Sequence, residues 1–406
     1  MNFKIILFVF VSIIVLALVI FGPKALRVYR MVHLYDEKNI SYNFINLDKI
    51  FKTSHLTASE NKFQFKQIPF TLPKTFILDD EEHNLEDALE YFRSDGLIVL
   101  RNDVLLYENY WQGNSKESKH ISWSVAKSFL SALIGIAFND GLINDLDDPI
   151  TKYLPEFEGT GYDGVPIKAL LQMSSGIQFN EDYGDYDSDI NRFGRAISLG
   201  TSMKEFAMSL KNHKEPGTFH HYVSIDTQML AMLLVKVTEE SITDLLQEQI
   251  WDKLGMEFDA YYLLDDTGME VALGGLNASL RDYAKFGLLY LNRGNWEGEQ
   301  IVPADWVDAS HRADEDHLIP GDNPHSSDSW GYGYQWWVPG FPETDFTAAG
   351  IYNQYIYVDP VTEVVIAKTS SNYKFTSERQ YSKDAHIAMF RAIAKEAAKV
   401  SPNEDK

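Results

Sequence analysis

The feature that most constrains this fold is the order of its segments: β-rich stretches flank a long region of helical patterns. Early in the chain, Gly96–Leu100 and Val104–Trp111 are rich in strand-forming residues and are joined by Arg101-Asn102-Asp103, a hairpin signature. Late in the chain, Asn353–Val358 and Glu363–Thr369 form a second such pair around a proline-containing turn. The order predicts an α+β fold, with an antiparallel sheet built from both parts of the chain and a helical insertion between them.

The composition excludes several classes of protein. Of the 406 residues, 45 % are hydrophobic and 13 % aromatic, which suffices for a large core and excludes a disordered or fibrous chain. The chain has no cysteine, so it can form neither a disulfide nor a thiolate metal site, and it has no cysteine nucleophile. The 59 acidic and 36 basic residues give a net charge of −23, which repels phosphate backbones, so no nucleic-acid partner is expected.

The chain divides into four parts. We predict an N-terminal membrane anchor at 1–23, a stalk at 24–75, one large domain at 76–400 and a polar tail at 401–406. The helical insertion of the large domain is expected at about 145–290. No linker-like, repeated or low-complexity segment after the stalk indicates a further division.

The anchor prediction rests on Ile5–Gly22, an apolar run without charge and with a single hydroxyl. It is longer than the apolar part of a cleavable signal, and no small-x-small site comes directly after it, so a single-pass anchor is predicted, with a cleaved signal peptide as the alternative. The basic residues after the run favour a cytoplasmic body by the positive-inside rule. Short anchors at the start of a chain can still export the rest of the protein, so we expect an extracytoplasmic body and leave the orientation open.

The first catalytic candidate is Ser124-Val125-Ala126-Lys127, an S-x-x-K motif that opens an apolar segment ending at Gly141. Two other matches, at 59–62 and 371–374, open no such segment. On a helix, Ser124 and Lys127 share one face, and burial lowers a lysine pKa so that the neutral amine can take the serine proton. The alternative is a serine N-cap followed by a surface lysine.

The second candidate is Tyr222-Val223-Ser224, between a turn and an apolar helix. A phenol held between two cations would have a depressed pKa and could carry a proton between nucleophile and leaving group. A packing tyrosine is the alternative.

The third candidate is Ala348-Ala349-Gly350-Ile351, which directly precedes a predicted strand. Small residues let a ligand approach the backbone, and the Ile351 N–H could serve as an oxyanion donor. Small residues that open a strand for packing reasons are the alternative.

Together, in this order and at these separations, the three motifs resemble the serine β-lactamase and penicillin-binding superfamily, specifically its class C-like branch that includes the 6-aminohexanoate-dimer hydrolases. The resemblance runs from about 85 to 395 and includes the phrase GYGYQWW at 331–337. It implies a β-lactamase/transpeptidase-like fold, in which an antiparallel sheet is flanked by helices and carries an inserted helical subdomain. It also implies an acyl-enzyme mechanism without a metal or organic cofactor.

The resemblance also implies roles for individual residues. Ser124 would attack, Lys127 and Tyr222 would handle protons, and the N–H groups of Ser124 and Ile351 would form the oxyanion hole. The chain departs from the family pattern at two positions: Ser224 stands where asparagine is usual, and Ala348 stands where lysine or histidine is usual. The second departure removes a carboxylate-binding cation, which argues against efficient β-lactam hydrolysis or peptidoglycan cross-linking.

The remaining candidates concern substrate binding. The acidic segment Glu181–Asp189 is expected to attract an amine-bearing substrate, with a solvated loop as the alternative. His220 and His221 are interpreted as structural, since no metal-ligand spacing accompanies them. The predicted substrate-binding residues are Tyr183, Tyr186, Ser224, Asn277, Trp336, Trp337 and Gly350.

The sequence therefore predicts a serine hydrolase that cleaves a small ester or amide. A D-alanyl-D-alanine carboxypeptidase or β-lactamase is the enzymatic alternative, and a non-catalytic scaffold of the same fold is the other. The sequence names neither the natural substrate nor the oligomeric state.

Overall fold

A computed structural model of the chain describes residues 3–313, 315–340 and 342–400. The helices are α1 Phe3–Val32, α2 Ile40–Phe44, α3 Leu85–Tyr91, α4 Ala126–Asn139, α5 Ile167–Leu171, α6 Asp189–Ser198, α7 Met203–Ser209, α8 Ser224–Thr238, α9 Ile242–Leu246, α10 Leu280–Leu291, α11 Ala304–Ser310 and α12 Arg379–Ala397. The strands are β1 Lys52–Leu56, β2 Lys66–Gln67, β3 Thr75–Leu78, β4 Glu81–Asn84, β5 Ser94–Arg101, β6 Val104–Tyr110, β7 His120–Ile121, β8 Ala260–Leu264, β9 Leu276–Ala278, β10 Asn295–Trp296, β11 Glu299–Gln300, β12 Gly331–Tyr332, β13 Trp337–Val338, β14 Phe346–Gly350, β15 Gln354–Asp359 and β16 Val364–Ser370.

The main sheet has eight strands in the order β12-β13-β14-β15-β16-β5-β6-β2. All neighbours are antiparallel except β2 and β6, which are parallel. The pairing of β16 with β5, in which Val365 lies opposite Leu100, joins strands that are far apart in the sequence. The predicted hairpin β5–β6 turns at Asn102, whose φ of 50° is left-handed. The predicted antiparallel sheet from both parts of the chain is confirmed.

The two faces of this sheet bury different cores because side chains alternate along a strand. In β5, Ile98 and Leu100 face the core built with α4 and α10, whereas Leu97 and Val99 face the core built with α12. Helix α10 lies close to the sheet: a Cβ on Gly287 would be 2.5 Å from a valine methyl of β16. The result is a sheet covered by helices on both faces, which confirms the predicted fold class.

A second, four-stranded sheet of order β1-β8-β9-β7 was not predicted from the sequence. Two of its strands, β8 and β9, lie within the range 145–290 that was expected to be helical. Strand β1, from the predicted stalk, pairs with β8, and β2 pairs with β6 of the main sheet. The segment around these strands therefore packs onto the large domain.

The structure describes most of the predicted anchor and none of the predicted tail. Residues 1, 2 and 401–406 lie outside the described residues. Within the part of the chain that is described, no helix combines the length and the apolar character needed to cross a membrane. The anchor at 1–23 therefore stays a prediction.

Candidate active site

Ser124 lies on a 3₁₀ turn, Trp123–Val125, between β7 and α4. The preceding residue, Trp123, has a φ of 45°, a left-handed backbone conformation that residues other than glycine rarely adopt. Ser124 is half-buried and lines a cleft together with residues of β13, β14 and β15. Its backbone N–H belongs to the turn that leads into α4, where helix N–H groups are unpaired.

Lys127 lies on the first turn of α4 and is 1 % exposed. Its Nζ donates to Ser224 Oγ at 3.2 Å and to the Leu273 carbonyl oxygen at 2.8 Å. Burial lowers the pKa of Lys127 to about 7, against the charges of Glu181 and Asp226, which act to raise it. The direction of this shift is the one that the sequence predicted, and the role of the amine as a base stays a proposal.

Tyr222 stands between Ser124 and an aromatic wall. Its phenol is hydrogen-bonded to the Ser124 side chain, and its ring is stacked on Trp337 at 5.3 Å. The Lys127 Nζ lies 5.5 Å from the centre of the same ring. Burial, followed by the charge of Glu181, raises the pKa of Tyr222 above its ordinary value. The predicted depressed pKa is wrong, because desolvation and the charge of Glu181 outweigh the opposing influence of Arg379.

Ser224 begins α8 and joins Lys127 to a carboxylate that the sequence analysis did not single out. Its Oγ donates to Glu181 Oε1 at 2.5 Å, and its backbone N–H donates to Glu181 Oε2 at 3.1 Å. The Tyr183 hydroxyl also donates to Glu181 Oε1, at 2.6 Å. Ser224 thus bridges the amine and the carboxylate by accepting from one and donating to the other.

Gly350 ends β14 against the serine turn. A Cβ at this position would lie 2.5 Å from the Ser122 carbonyl oxygen and 3.2 Å from the Ser124 nitrogen. Only glycine lets the strand approach the turn so closely. Ile351, the next residue, lines the same cavity as Ser124. The two N–H groups predicted to hold an oxyanion thus belong to residues on the same cavity, and that role stays a proposal.

The cleft consists of a narrow inner cavity of ≈ 40 Å³ and an outer chamber of ≈ 250 Å³. The inner cavity is lined by Ser124, Glu181, Tyr183, Tyr222, Trp330, Trp337, Ala349, Gly350, Ile351, Tyr355, Phe375, Arg379 and Lys383. The outer chamber shares five of these residues and adds Asp182, His221, Ser327, Asp328 and Thr376. Aromatic walls with a few polar groups suit a small organic substrate.

Four of the predicted substrate-binding residues do not line this cleft, and one of them, Ser224, is fully buried and bonds Lys127 and Glu181 instead. Trp336 is fully buried and packs on Tyr290 at 4.4 Å, because consecutive residues of an extended segment point to opposite sides and Trp337 takes the cleft side. Tyr186 is 71 % exposed, and the guanidinium of Arg195 lies 3.9 Å from the centre of its ring. Asn277 is buried in β9 and donates to the Gly275 carbonyl oxygen, on the second sheet.

Two cations of the cleft were also missed, Arg379 and Lys383, one turn apart on α12. Lys383 is paired with Asp328 at 2.7 Å and lies 4.3 Å from the ring of Trp330. Arg379 is exposed, and among the described residues its guanidinium has no hydrogen-bond or ion-pair partner. The i, i+4 spacing was visible in the sequence, but the sequence analysis assigned no role to either residue. The cleft therefore contains cations although Ala348 does not supply one.

The two histidines have structural partners. His220 is 1 % exposed and hydrogen-bonded to Ser326 Oγ at 2.9 Å, and burial lowers its pKa to about 3. His221 bonds the Phe179 carbonyl oxygen at 2.7 Å. Within the described residues, no three His, Asp or Glu side chains come together as metal ligands would.

Comparison with known proteins identifies the family. The family model described as Beta-lactamase matches residues 83–388. The 6-aminohexanoate-dimer hydrolase of Paenarthrobacter ureafaciens is 32 % identical over 300 residues, which cover 71 % of this chain and 75 % of that protein.

Solved structures show the same fold. A Bacillus anthracis protein provisionally assigned as a 6-aminohexanoate-dimer hydrolase matches with a TM-score of 0.81 at 24 % identity, over 90 % of this chain and 96 % of that one. EstCE1, a hydrolase with promiscuous acyltransferase activity, matches with a TM-score of 0.58 at 16 % identity, over 76 % of this chain and 96 % of that one. The chain therefore belongs to the beta-lactamase family, as a hydrolase of the serine β-lactamase and penicillin-binding superfamily.

Proposed function

We propose that this protein hydrolyses a small ester or amide through an acyl-enzyme intermediate on Ser124. The observation that carries the proposal is the arrangement around that hydroxyl: Tyr222 is hydrogen-bonded to it, and the buried amine of Lys127 lies beside Tyr222. A neutral amine next to a serine is the activated-nucleophile arrangement.

In the first half-reaction, Ser124 Oγ attacks the carbonyl carbon while its proton passes to the Lys127 amine, directly or through the Tyr222 hydroxyl. The tetrahedral oxyanion is held by the N–H groups of Ser124 and Ile351. The bond to the leaving group then breaks, and the proton moves from Lys127 through Tyr222 to the departing oxygen or nitrogen. In the second half-reaction, water attacks the acyl carbon and regenerates the serine by the reverse proton transfers.

The substrate class is proposed from the cleft and from the relative. A narrow inner cavity suits a short acyl chain, and the wider outer chamber leaves room for the leaving group. The Paenarthrobacter ureafaciens relative is a 6-aminohexanoate-dimer hydrolase, which supports an amide as well as an ester. The test is a panel of short p-nitrophenyl esters, linear ω-amino-acid dimers, D-alanyl-D-alanine peptides and nitrocefin. Turnover of the esters and the ω-amino-acid dimers supports the proposal. Fast turnover of only the D-alanyl-D-alanine peptides or nitrocefin would replace it with the carboxypeptidase or β-lactamase alternative.

Arg379 is expected to favour substrates that carry a carboxylate. Replacing it with glutamine should lower kcat/KM for a p-nitrophenyl hemisuccinate by about tenfold, while the neutral butyrate ester changes little, because a guanidinium–carboxylate hydrogen bond is lost only with the anionic ester. Lys374→Gln removes a charge outside the cleft and is the matched control. An equal loss for both esters would contradict the assignment.

We also propose that residues 1–23 anchor the protein in a membrane, with the large domain on the extracytoplasmic side. The apolar run Ile5–Gly22 supports this proposal. The full chain should remain with membranes through alkaline carbonate and be released by detergent, whereas lysines at Ile13 and Leu16 should release it. Release of the unchanged chain by carbonate alone would contradict an anchor, and protease protection in intact cells would contradict the orientation.

A further inference from the structure

The buried carboxylate of Glu181 is not explained by the proposed roles of the serine, lysine and tyrosine. Glu181 is 8 % exposed, although the acidic residues Asp182, Asp185 and Asp187 of the same loop are exposed. It accepts three hydrogen bonds, two from Ser224 and one from Tyr183. Burying a carboxylate is unfavourable unless hydrogen bonds compensate it, so this loop uses three of them to hold one charge beside the catalytic candidates.

The position of the hydroxyl protons follows from these contacts. A carboxylate only accepts, so the single proton of the Ser224 hydroxyl is held by Glu181 Oε1 at 2.5 Å. The Ser224 oxygen can then only accept from Lys127, whose Nζ is 3.2 Å away. The Leu273 carbonyl oxygen, at 2.8 Å, also only accepts. A neutral amine has two N–H bonds and one lone pair, so these two acceptors engage both N–H bonds.

These contacts leave one lone pair on the Lys127 Nζ. With both N–H bonds engaged, the lone pair of Lys127 is free to accept from Ser124, on the 3₁₀ turn that leads into α4, or from Tyr222. A Ser224 hydroxyl without an acceptor of its own could instead donate to that lone pair and block the base. We propose that Glu181 is a positioning residue, which holds the Ser224 hydroxyl proton and so keeps the Lys127 lone pair available to the nucleophile. This inference rests on the proposed function.

The same contacts explain how Ser224 can occupy the position where the family pattern has asparagine. The Ser224–Glu181 pair presents an oxygen acceptor to Lys127, as an asparagine oxygen would, and adds a negative charge nearby. The charged or titratable groups around Lys127 are Glu181 from the loop, Asp226 from α8 and Tyr222. Of the two carboxyl groups, Glu181 lines the cleft, whereas Asp226 is fully buried and accepts from the Tyr162 hydroxyl.

The test is the pH dependence of kcat/KM of the full chain for p-nitrophenyl butyrate. Glu181→Gln should reduce the plateau by about 10- to 100-fold, the range for losing a hydrogen bond to a charged group. It should also move the acid limb to lower pH, because removing the carboxylate removes an influence that favours the ammonium form of Lys127. Asp187→Asn, which removes an exposed charge from the same loop, should change neither quantity.

A double variant separates the effect of Glu181 on the plateau rate from its effect on the position of the acid limb. Ser224→Ala should lower the plateau without moving the acid limb, and adding Glu181→Gln should then move the limb with little further loss of rate. A merely structural role for Glu181 would change the folded fraction and leave the acid limb in place. If Glu181→Gln does not fold, an unchanged plateau in Ser224→Ala overturns the inference.

An unshifted acid limb in Glu181→Gln, or losses that multiply in the double variant, would also overturn it. Either of these two results would leave the proposed function intact. The proposed function fails only if the unaltered chain does not hydrolyse esters, or if hydrolysis persists without Ser124.

Discussion

Ser124→Ala is expected to reduce kcat for short esters by at least about 10⁴-fold while leaving the fold and the thermal stability nearly unchanged. The reduction follows from the loss of the only proposed nucleophile, since neither Lys127 nor Tyr222 can form the acyl-enzyme in its place. Ser124 is half-buried and its side chain bonds only the Tyr222 phenol among the contacts of the described residues, so its removal leaves little unsatisfied. The measurement is ester hydrolysis beside a thermal melt.

The matched control is Ser59→Ala, which changes the serine of another S-x-x-K sequence. Ser59 bonds the Asp252 carbonyl oxygen and lies outside the cleft. Ser59→Ala should retain full turnover and should lower the free energy of unfolding by about 1 kcal/mol, the usual contribution of one hydrogen bond. Equal turnover by Ser124→Ala and the unaltered chain would contradict the assignment of the nucleophile, whereas no turnover by either protein would favour the non-catalytic alternative.

Lys127→Met is the second change with a large expected effect, and it should move activity and stability in opposite directions. Without the amine, no base takes the Ser124 proton, and kcat/KM should fall by about 10³-fold. In the unaltered chain, kcat/KM should rise with pH through about 7, since deprotonation of Lys127 creates the base. The variant should lose this acid limb, and a pH–rate profile of both proteins measures it.

The stability argument follows from proton linkage. The folded-state pKa of Lys127 is lowered, so the unfolded chain binds more protons than the folded chain between about pH 7 and the ordinary lysine value. The buried amine therefore destabilises the fold near neutral pH, and this cost disappears as the pH rises. Lys127→Met, of similar volume, should raise the melting temperature at pH 7. A lower melting temperature together with a retained acid limb would show that another group is the base.

The sheet and the three motifs could be predicted because their signals are local. The hairpin β5–β6 is specified by its turn at Asn102, and the burial of Lys127 follows from a helix that is apolar on nearly every side. In each case a few neighbouring residues determine the structure.

The rest of the site depends on contacts between distant segments. Glu181 and Ser224 are bonded across 43 positions, and Arg379 reaches the cleft from a helix that packs on β3 and on β16 of the main sheet. The raised pKa of Tyr222 depends on burial against Trp337, which no local pattern reveals. The four-stranded sheet was missed because β7 and β9 have only two and three residues, too few for a period-2 signal.

The most direct test of the central claim is covalent labelling by a fluorophosphonate, followed by intact-protein and peptide mass spectrometry. One adduct per chain is predicted, on the peptide that contains Ser124. The rate of labelling should depend on pH in the same way as the rate of ester hydrolysis. Ser124→Ala should take up no label, and Lys127→Met should take it up about 10³-fold more slowly. No adduct on the active protein, or an adduct on another residue that abolishes turnover, would contradict the account.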